Sequence, residues 1–124
     1  MTDVVEQTGW QDNLADIVRM ILHRVDTETK NSKAFLLSLI WQLDNYERSY
    51  SDEVFYPSET EQVNFRYEVK FAGLDITYIG TAPKEDRQED YVMQKLTSAL
   101  KESLKKVVDK LGNKIKISDV LSYE

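Results

Sequence analysis

A chain of 124 residues with 41% hydrophobic and 31% charged residues, but only four glycines and two prolines, is long enough to bury one core and too apolar to stay disordered. It has no cysteine, which excludes disulfides, thiolate zinc sites, iron–sulfur clusters and a cysteine nucleophile, and fits a reducing compartment. The net charge of −6 is unevenly spread: residues 1–62 carry five bases against twelve acids, −7, and residues 63–124 carry eleven bases against ten acids, +1. A uniformly acidic surface would repel phosphates, whereas this asymmetry leaves room for one basic patch toward the C-terminus.

In chain order, Met1 to Gln7 carries acid where a secretory leader carries base and then an apolar run, and no stretch approaches the roughly 18 apolar residues of a membrane span. A cytoplasmic, intracellular chain without membrane contact is therefore expected, with residues 1–9 as an N-terminal arm of one domain spanning 1–124. From Trp10 to Val25 the apolar residues Trp10, Leu14, Ile17, Val18, Ile21, Leu22 and Val25 recur at spacings of three and four, the stripe of an amphipathic helix. The polar stretch from Thr27 to Lys33 ends it, and Ser32 is placed to cap a second helix through Phe35, Leu36, Leu39, Ile40, Leu43 and Tyr46. Leu37 and Trp41 widen that helix's apolar face, which predicts burial on two sides.

A loop holding Pro57 follows, with room for a short edge strand at Glu53 to Tyr56. Val63, Phe65, Tyr67, Val69 and Phe71 then alternate with Asn64, Arg66, Glu68 and Lys70, a period of two that sets every apolar side chain on one face of a strand. Ala72-Gly73 predicts a tight turn, and Leu74, Ile76 and Tyr78 return as the second strand of an antiparallel hairpin ending at Gly80. Thr81-Ala82-Pro83 is expected to open the last helix, because proline is tolerated in a first turn. Val92, Leu96, Leu100, Leu104, Val107, Val108 and Leu111 supply its buried stripe, and Gly112-Asn113 stops it. Residues 113–124 are expected to add a short strand at Lys114 to Ile117 or to stay a tail. Phe65, Val69, Leu96 and Leu104 are expected core positions. The fold class is thus α+β: two N-terminal helices, an antiparallel hairpin or small sheet, and a long C-terminal helix packed on one sheet face.

The chemistry-bearing residues are few. His23, the only histidine, falls on the rim of the first helix with no serine or cysteine nearby, so a plain surface or boundary histidine is expected. Glu85 with Glu89 and Asp86 with Asp90 are each four apart and could share a hard cation, but acids at a helix start also complement its dipole. Between residues 95 and 116 seven lysines face only Glu102 and Asp109. Of these, Lys101, Lys105, Lys106 and Lys110 are candidate partner-binding residues, able to meet an acidic protein or phosphates. Tyr50, Tyr56 and Tyr123, in loop and tail, are candidates too, because exposed tyrosine favours partner contacts. There is no glycine-rich phosphate loop, metal-ligand histidine pair or Gly-x-Ser-x-Gly elbow.

Read from Ser32 onward, the order of helix, short strand, strand pair joined at Gly73 and helix after Gly80 resembles a double-stranded-RNA-binding domain over residues 32–104. The alternating Phe65 to Phe71, Gly73, Lys84 and Arg87 carry the likeness. The resemblance implies an α-β-β-β-α fold in which the first turns of the last helix reach phosphates across a groove with a lysine triplet. At that place this chain has Lys84-Glu85-Asp86-Arg87-Gln88-Glu89-Asp90, two bases and four acids, and Pro57 is followed by Ser58-Glu59-Thr60 instead of the family's Gly-Pro-x-His loop.

The residues together point to a non-catalytic protein–protein interaction module, an adaptor, inhibitor or subunit of a larger assembly, with another protein as partner and no cofactor. A homo-oligomer stays open. Two other classes stand beside it: a nucleic-acid binder using the basic C-terminal helix, and a divalent-metal enzyme using the acids near residues 85–90.

Overall fold

A computed structural model describes residues 12–49, 61–71, 73–84 and 88–120 of the chain. Its elements are α1 (Leu14–Glu28), α2 (Ser32–Ser49), β1 (Gln62–Phe71), β2 (Leu74–Pro83), α3 (Gln88–Leu111) and a short 3-10 turn, Ile117–Asp119. This is the expected α+β arrangement of two helices, an antiparallel hairpin and a long helix. Trp10, the candidate strand at residues 53–56 and the acids Glu85 and Asp86 lie outside the described residues. No helix among those described is long and apolar enough to cross a membrane.

The apolar stripe of α1 buries Ile17, Ile21, Leu22 and Val25, and the helix runs three residues past the expected end, to Glu28. The cap of α2 is Asn31 and not Ser32: the Asn31 side-chain oxygen accepts the Ala34 N–H at 3.0 Å, satisfying a donor that the first helical turn leaves open. Ser32 sits one position inside, fully buried, and donates its hydroxyl to the Asp26 carboxylate at 3.0 Å.

The hairpin pairs Phe71 with Leu74 and continues in register to Gln62 opposite Pro83. Gly73 has φ +82°, the left-handed conformation that a two-residue loop requires. Leu74, Ile76, Tyr78 and Ala82 of β2 are buried against the helices, whereas Val63, Phe65, Tyr67 and Val69 on the outer strand β1 are only half-covered. Phe65 and Val69 are therefore margin residues and not core, because β1 extends beyond the helices that blanket β2. The other edge of β2 is closed by Asn13, whose backbone N–H donates to Ile79 O and whose amide side chain bonds Ile79 N–H at 2.8 Å and Thr77 O at 2.9 Å. That cover removes an open ladder edge, a common aggregation template.

β2 continues through Thr81, Ala82 and Pro83, so these residues do not open the last helix, which begins at Gln88 among the described residues. Sheet pairing to β1 and burial of Ala82 and Pro83 outweigh the local preference of proline for a helix start. In α3, Val92, Met93, Leu96, Leu100, Leu104, Val107 and Leu111 form one buried stripe, and Gly112 at φ +54° stops the helix in the left-handed conformation. Beyond it Lys114 to Ile117 adds no strand. Ile117 is fully buried, its N–H bonds the Asp26 carboxylate at 2.8 Å, and Lys116 Nζ donates to the Thr29 carbonyl at 2.8 Å and to the Asp26 carbonyl. A cation is thus held at the negative end of α1, where the helix dipole favours it.

Replacing the fully buried Leu104 by Ala should cost about 2–5 kcal/mol in urea unfolding. Phe65→Ala, on the half-covered strand, should cost clearly less. Equal losses would contradict the marginal placement of β1.

Candidate functional site

α2 is apolar around most of its circumference. Leu36, Leu39 and Leu43 turn inward against α3, the most extensive helix–helix contact of the fold. Leu37 and Trp41 turn outward, 49% and 66% exposed, so the expected two-sided burial is not found. Ala34 and Ser38 are exposed beside them. No charged residue occurs from Ala34 to Leu43, although 31% of the chain is charged and the other helices carry acids and bases on their outer faces. Further along the helix, Gln42, Asn45, Tyr46 and Ser49 line a shallow hollow of about 380 Å³.

The inward face of α2 is fixed by charge as well as by leucines. Lys101 of α3 lies 2.9 Å from the Glu47 carboxylate and 3.2 Å from that of Asp44, and Arg48 holds the second Asp44 oxygen at 2.9 Å. The bond to Glu47 leads in holding the Lys101 ammonium above its usual range, and the bond to Lys101 leads in holding Asp44 below the usual carboxylate range. Lys101, expected among the partner-binding residues, is only 7% exposed, and its ammonium is engaged by these two acids. The sequence pattern counted it with the solvated lysines because its two acids come from a helix 54 and 57 positions away.

A second polar cluster ties the entry of α1 to β2 and α3. Tyr78 donates its hydroxyl to Asp12 at 2.6 Å, and Lys95 Nζ lies 2.6 Å from the other Asp12 oxygen and over the Tyr78 ring. Burial first, then the bond to Asp12, pushes the Tyr78 hydroxyl up to about 12, so at neutral pH it keeps its proton and acts as a donor. Burial works against the charge of Asp12, but Lys95 and Tyr78 outweigh it and hold that carboxyl below its usual range. Burial likewise disfavours the Lys95 charge, and the bonds to Asp12 and Tyr78 more than offset it. The cluster closes over Gly80, where a Cβ would collide with the Asp12 carboxylate and the Tyr78 hydroxyl. Between these two clusters an open groove of about 490 Å³ is lined by Glu47, Arg48, Tyr91, Gln94, Lys95 and Ser98.

Of the remaining sequence candidates, Lys105, Lys106 and Lys110 are exposed on α3, interleaved with the exposed Glu102 and Asp109. Lys105 also contributes to the field that holds Asp44 ionised. The basic stretch is thinner than its seven lysines suggest, since Lys95, Lys101 and Lys116 are engaged with Asp12, the Asp44–Glu47 pair and Asp26. Tyr50, Tyr56 and Tyr123 lie outside the described residues. His23 is exposed on α1, and Glu89 and Asp90 stand in the first turn of α3. Among the described residues no three His, Cys, Asp or Glu side chains gather as a metal site would require. No family model, curated protein or solved structure matches the chain.

Lys101→Met should lower stability by about 1–2 kcal/mol, the scale of hydrogen bonds to charged groups that are part-exposed, while Lys106→Met should stay within about 0.5 kcal/mol. The pH dependence has a defined sign. A depressed Asp44 stabilises above the ordinary carboxylate range and loses that contribution on acidification, and a raised Lys101 stabilises below the ordinary lysine value and loses it in alkali. The stability gap between wild type and Lys101→Met should therefore be widest from about pH 5 to about pH 10 and close on both sides. Thermal unfolding across pH measures it.

Proposed function

We propose that the chain is a non-catalytic protein–protein interaction module that docks through the outer face of α2. The observation that supports this reading is the run from Ala34 to Leu43, which exposes Leu37 and Trp41 without one charged residue. A helix face kept in water is ordinarily clothed in charge, and exposed apolar surface ringed by polar residues marks places where proteins meet. Tryptophan in particular is enriched among residues that anchor interfaces, because it buries much area at little cost in side-chain freedom. The two polar clusters support the same reading from the other side. The buried Lys101 and the half-buried Lys95 in them are each matched to acids from a distant part of the chain, a wiring that suits a rigid platform for the docking helix.

The partner class follows from the surface. A flat, uncharged helix face fits an apolar patch or groove on another protein better than phosphates, which demand cations. Affinity capture from cells that make the protein tests this, with wild type, Trp41→Glu and the control Lys106→Glu as baits. Proteins held by wild type and Lys106→Glu should be lost with Trp41→Glu, whose thermal stability should be unchanged because the indole is outside the core. Equal recovery on all three baits would contradict the reading.

A further inference from the structure

The two edges of the hairpin differ. Asn13 satisfies the outward groups of Thr77 and Ile79 on β2, whereas among the described residues no bond reaches the outer edge of β1. Which groups stand at that edge follows from the ladder. Lys84 N–H bonds Glu61 O at 2.8 Å, next to the Gln62–Pro83 pair, so the odd-numbered residues of β1 bond inward to β2. The alternation of an antiparallel pair then turns the N–H and C=O groups of Asn64, Arg66, Glu68 and Lys70 outward.

A long bare edge is a template for another strand, and the sequence of this one complements itself. With a two-fold axis at Tyr67, an antiparallel copy sets Arg66 opposite Glu68, Asn64 opposite Lys70, Phe65 opposite Val69, and Tyr67 opposite its own counterpart. From this charge match along an uncovered edge, we propose that a second copy of the chain pairs with β1 in that register, joining two hairpins into one four-stranded antiparallel sheet.

Other registers are worse. An axis at Arg66 or at Glu68 sets that charge on itself, and the second also sets Arg66 against Lys70. An axis at Phe65 pairs no opposite charges, one at Val69 overlaps only residues 67 to 71, and a one-residue slip sets the apolar face against the wet one. Protected edges commonly carry lysines that repel a second copy. Here Arg66 and Glu68, 3.2 Å apart within the strand, form with their mates a square of alternating sign. On the other face Phe65, Tyr67 and Val69, half-covered in one copy, cover one another across the seam, where Phe65 and Tyr67 already stack at 6.0 Å. The charge of −6 on each copy opposes approach, and so narrow a seam falls below the roughly 1,200 Å² of stable complexes. The dimer is therefore weak, dissociating on the order of 100 μM. It leaves the outer face of α2 untouched.

Sedimentation equilibrium and amide hydrogen exchange test it. Arg66→Glu and Glu68→Arg, both at exposed positions, should each associate at least tenfold more weakly than wild type. An equimolar mixture of the two should associate as wild type does, because every carboxylate in the mixed pair again faces a guanidinium. Trp41→Glu should leave the dimer intact. In wild type the Arg66 and Glu68 amides should exchange fast when dilute and slow as the dimer forms, while those of Tyr67 and Val69, bonded to β2, are slow throughout. A chain still monomeric at about ten times the expected dissociation constant overturns the proposal. So does a dimer that ignores both charge reversals, or one that Trp41→Glu abolishes, which places the contact on α2. Arg66 and Glu68 amides protected at every concentration overturn it too, since the chain then covers its own edge; neither that result nor a monomer bears on the docking role of α2.

Discussion

The packing of α2 against α3 decides what the rest of this molecule presents. α2 has leucines on more than one side, Leu36, Leu39 and Leu43 on one and Leu37 with Trp41 on the other, so hydrophobic burial alone leaves its rotation about its own axis weakly determined. The charged clamp removes the ambiguity. Glu47 lies on the same side of α2 as Leu43, Asp44 stands between that side and Leu37, and both reach Lys101, which stands beside Leu100 and Leu104 in the stripe of α3. Turning α2 to bury Trp41 would carry both carboxylates away from a lysine that is almost out of solvent, leaving a desolvated charge without a counterpart. The rotation that keeps the clamp is the one that shows Leu37 and Trp41 to solvent.

The other polar contacts hold the frame in which that clamp works. Asp12, Tyr78 and Lys95 fix where the chain enters α1 relative to β2 and α3, and Gly80 is what lets the carboxylate and the phenol approach so closely. At the opposite end Asp26 gathers Ser32, Ile117 and Lys116, binding the α1–α2 corner to the segment that follows α3. Both clusters join three separate parts of the sequence. A surface helix tied at its start through Ser32 and clamped near its end by Lys101 is preorganised, and binding through it loses less conformational freedom than binding through a loose segment.

Much of this frame is legible in the sequence because it obeys local periodicity. The three- and four-residue spacing in α1 and α3, the alternation of β1 and the glycines at 73 and 112 each encode their element over a short stretch. What sequence reading misses depends on distant partners. Lys101 looks like one of a row of solvated lysines until Asp44 and Glu47 are brought against it, although its place between Leu100 and Leu104 is a signal that it shares their burial. Pro83 favours a helix start locally, yet its pairing opposite Gln62 keeps it in the sheet. Lys114 to Ile117 alternates as a strand would, but among the described residues it pairs with no strand, and Asp26 takes the Ile117 N–H instead. The outer face of α2 reads as buried for a related reason: an exposed leucine and a leucine in a core have the same chemistry. Only the absence of charge from Ala34 to Leu43, set against the charge of the rest of the chain, hinted that one side of α2 was neither core nor ordinary surface.

The rotation of α2 is the claim on which the docking face stands, and thiol labelling measures it directly in a chain without cysteine. Cysteine would be introduced singly at Leu36 and at Leu37, and its reaction with a maleimide followed in dilute native protein. The clamped orientation predicts rapid labelling at position 37 and labelling at position 36 only as fast as the protein unfolds. Protection at position 37, or equal rates at both, would contradict it.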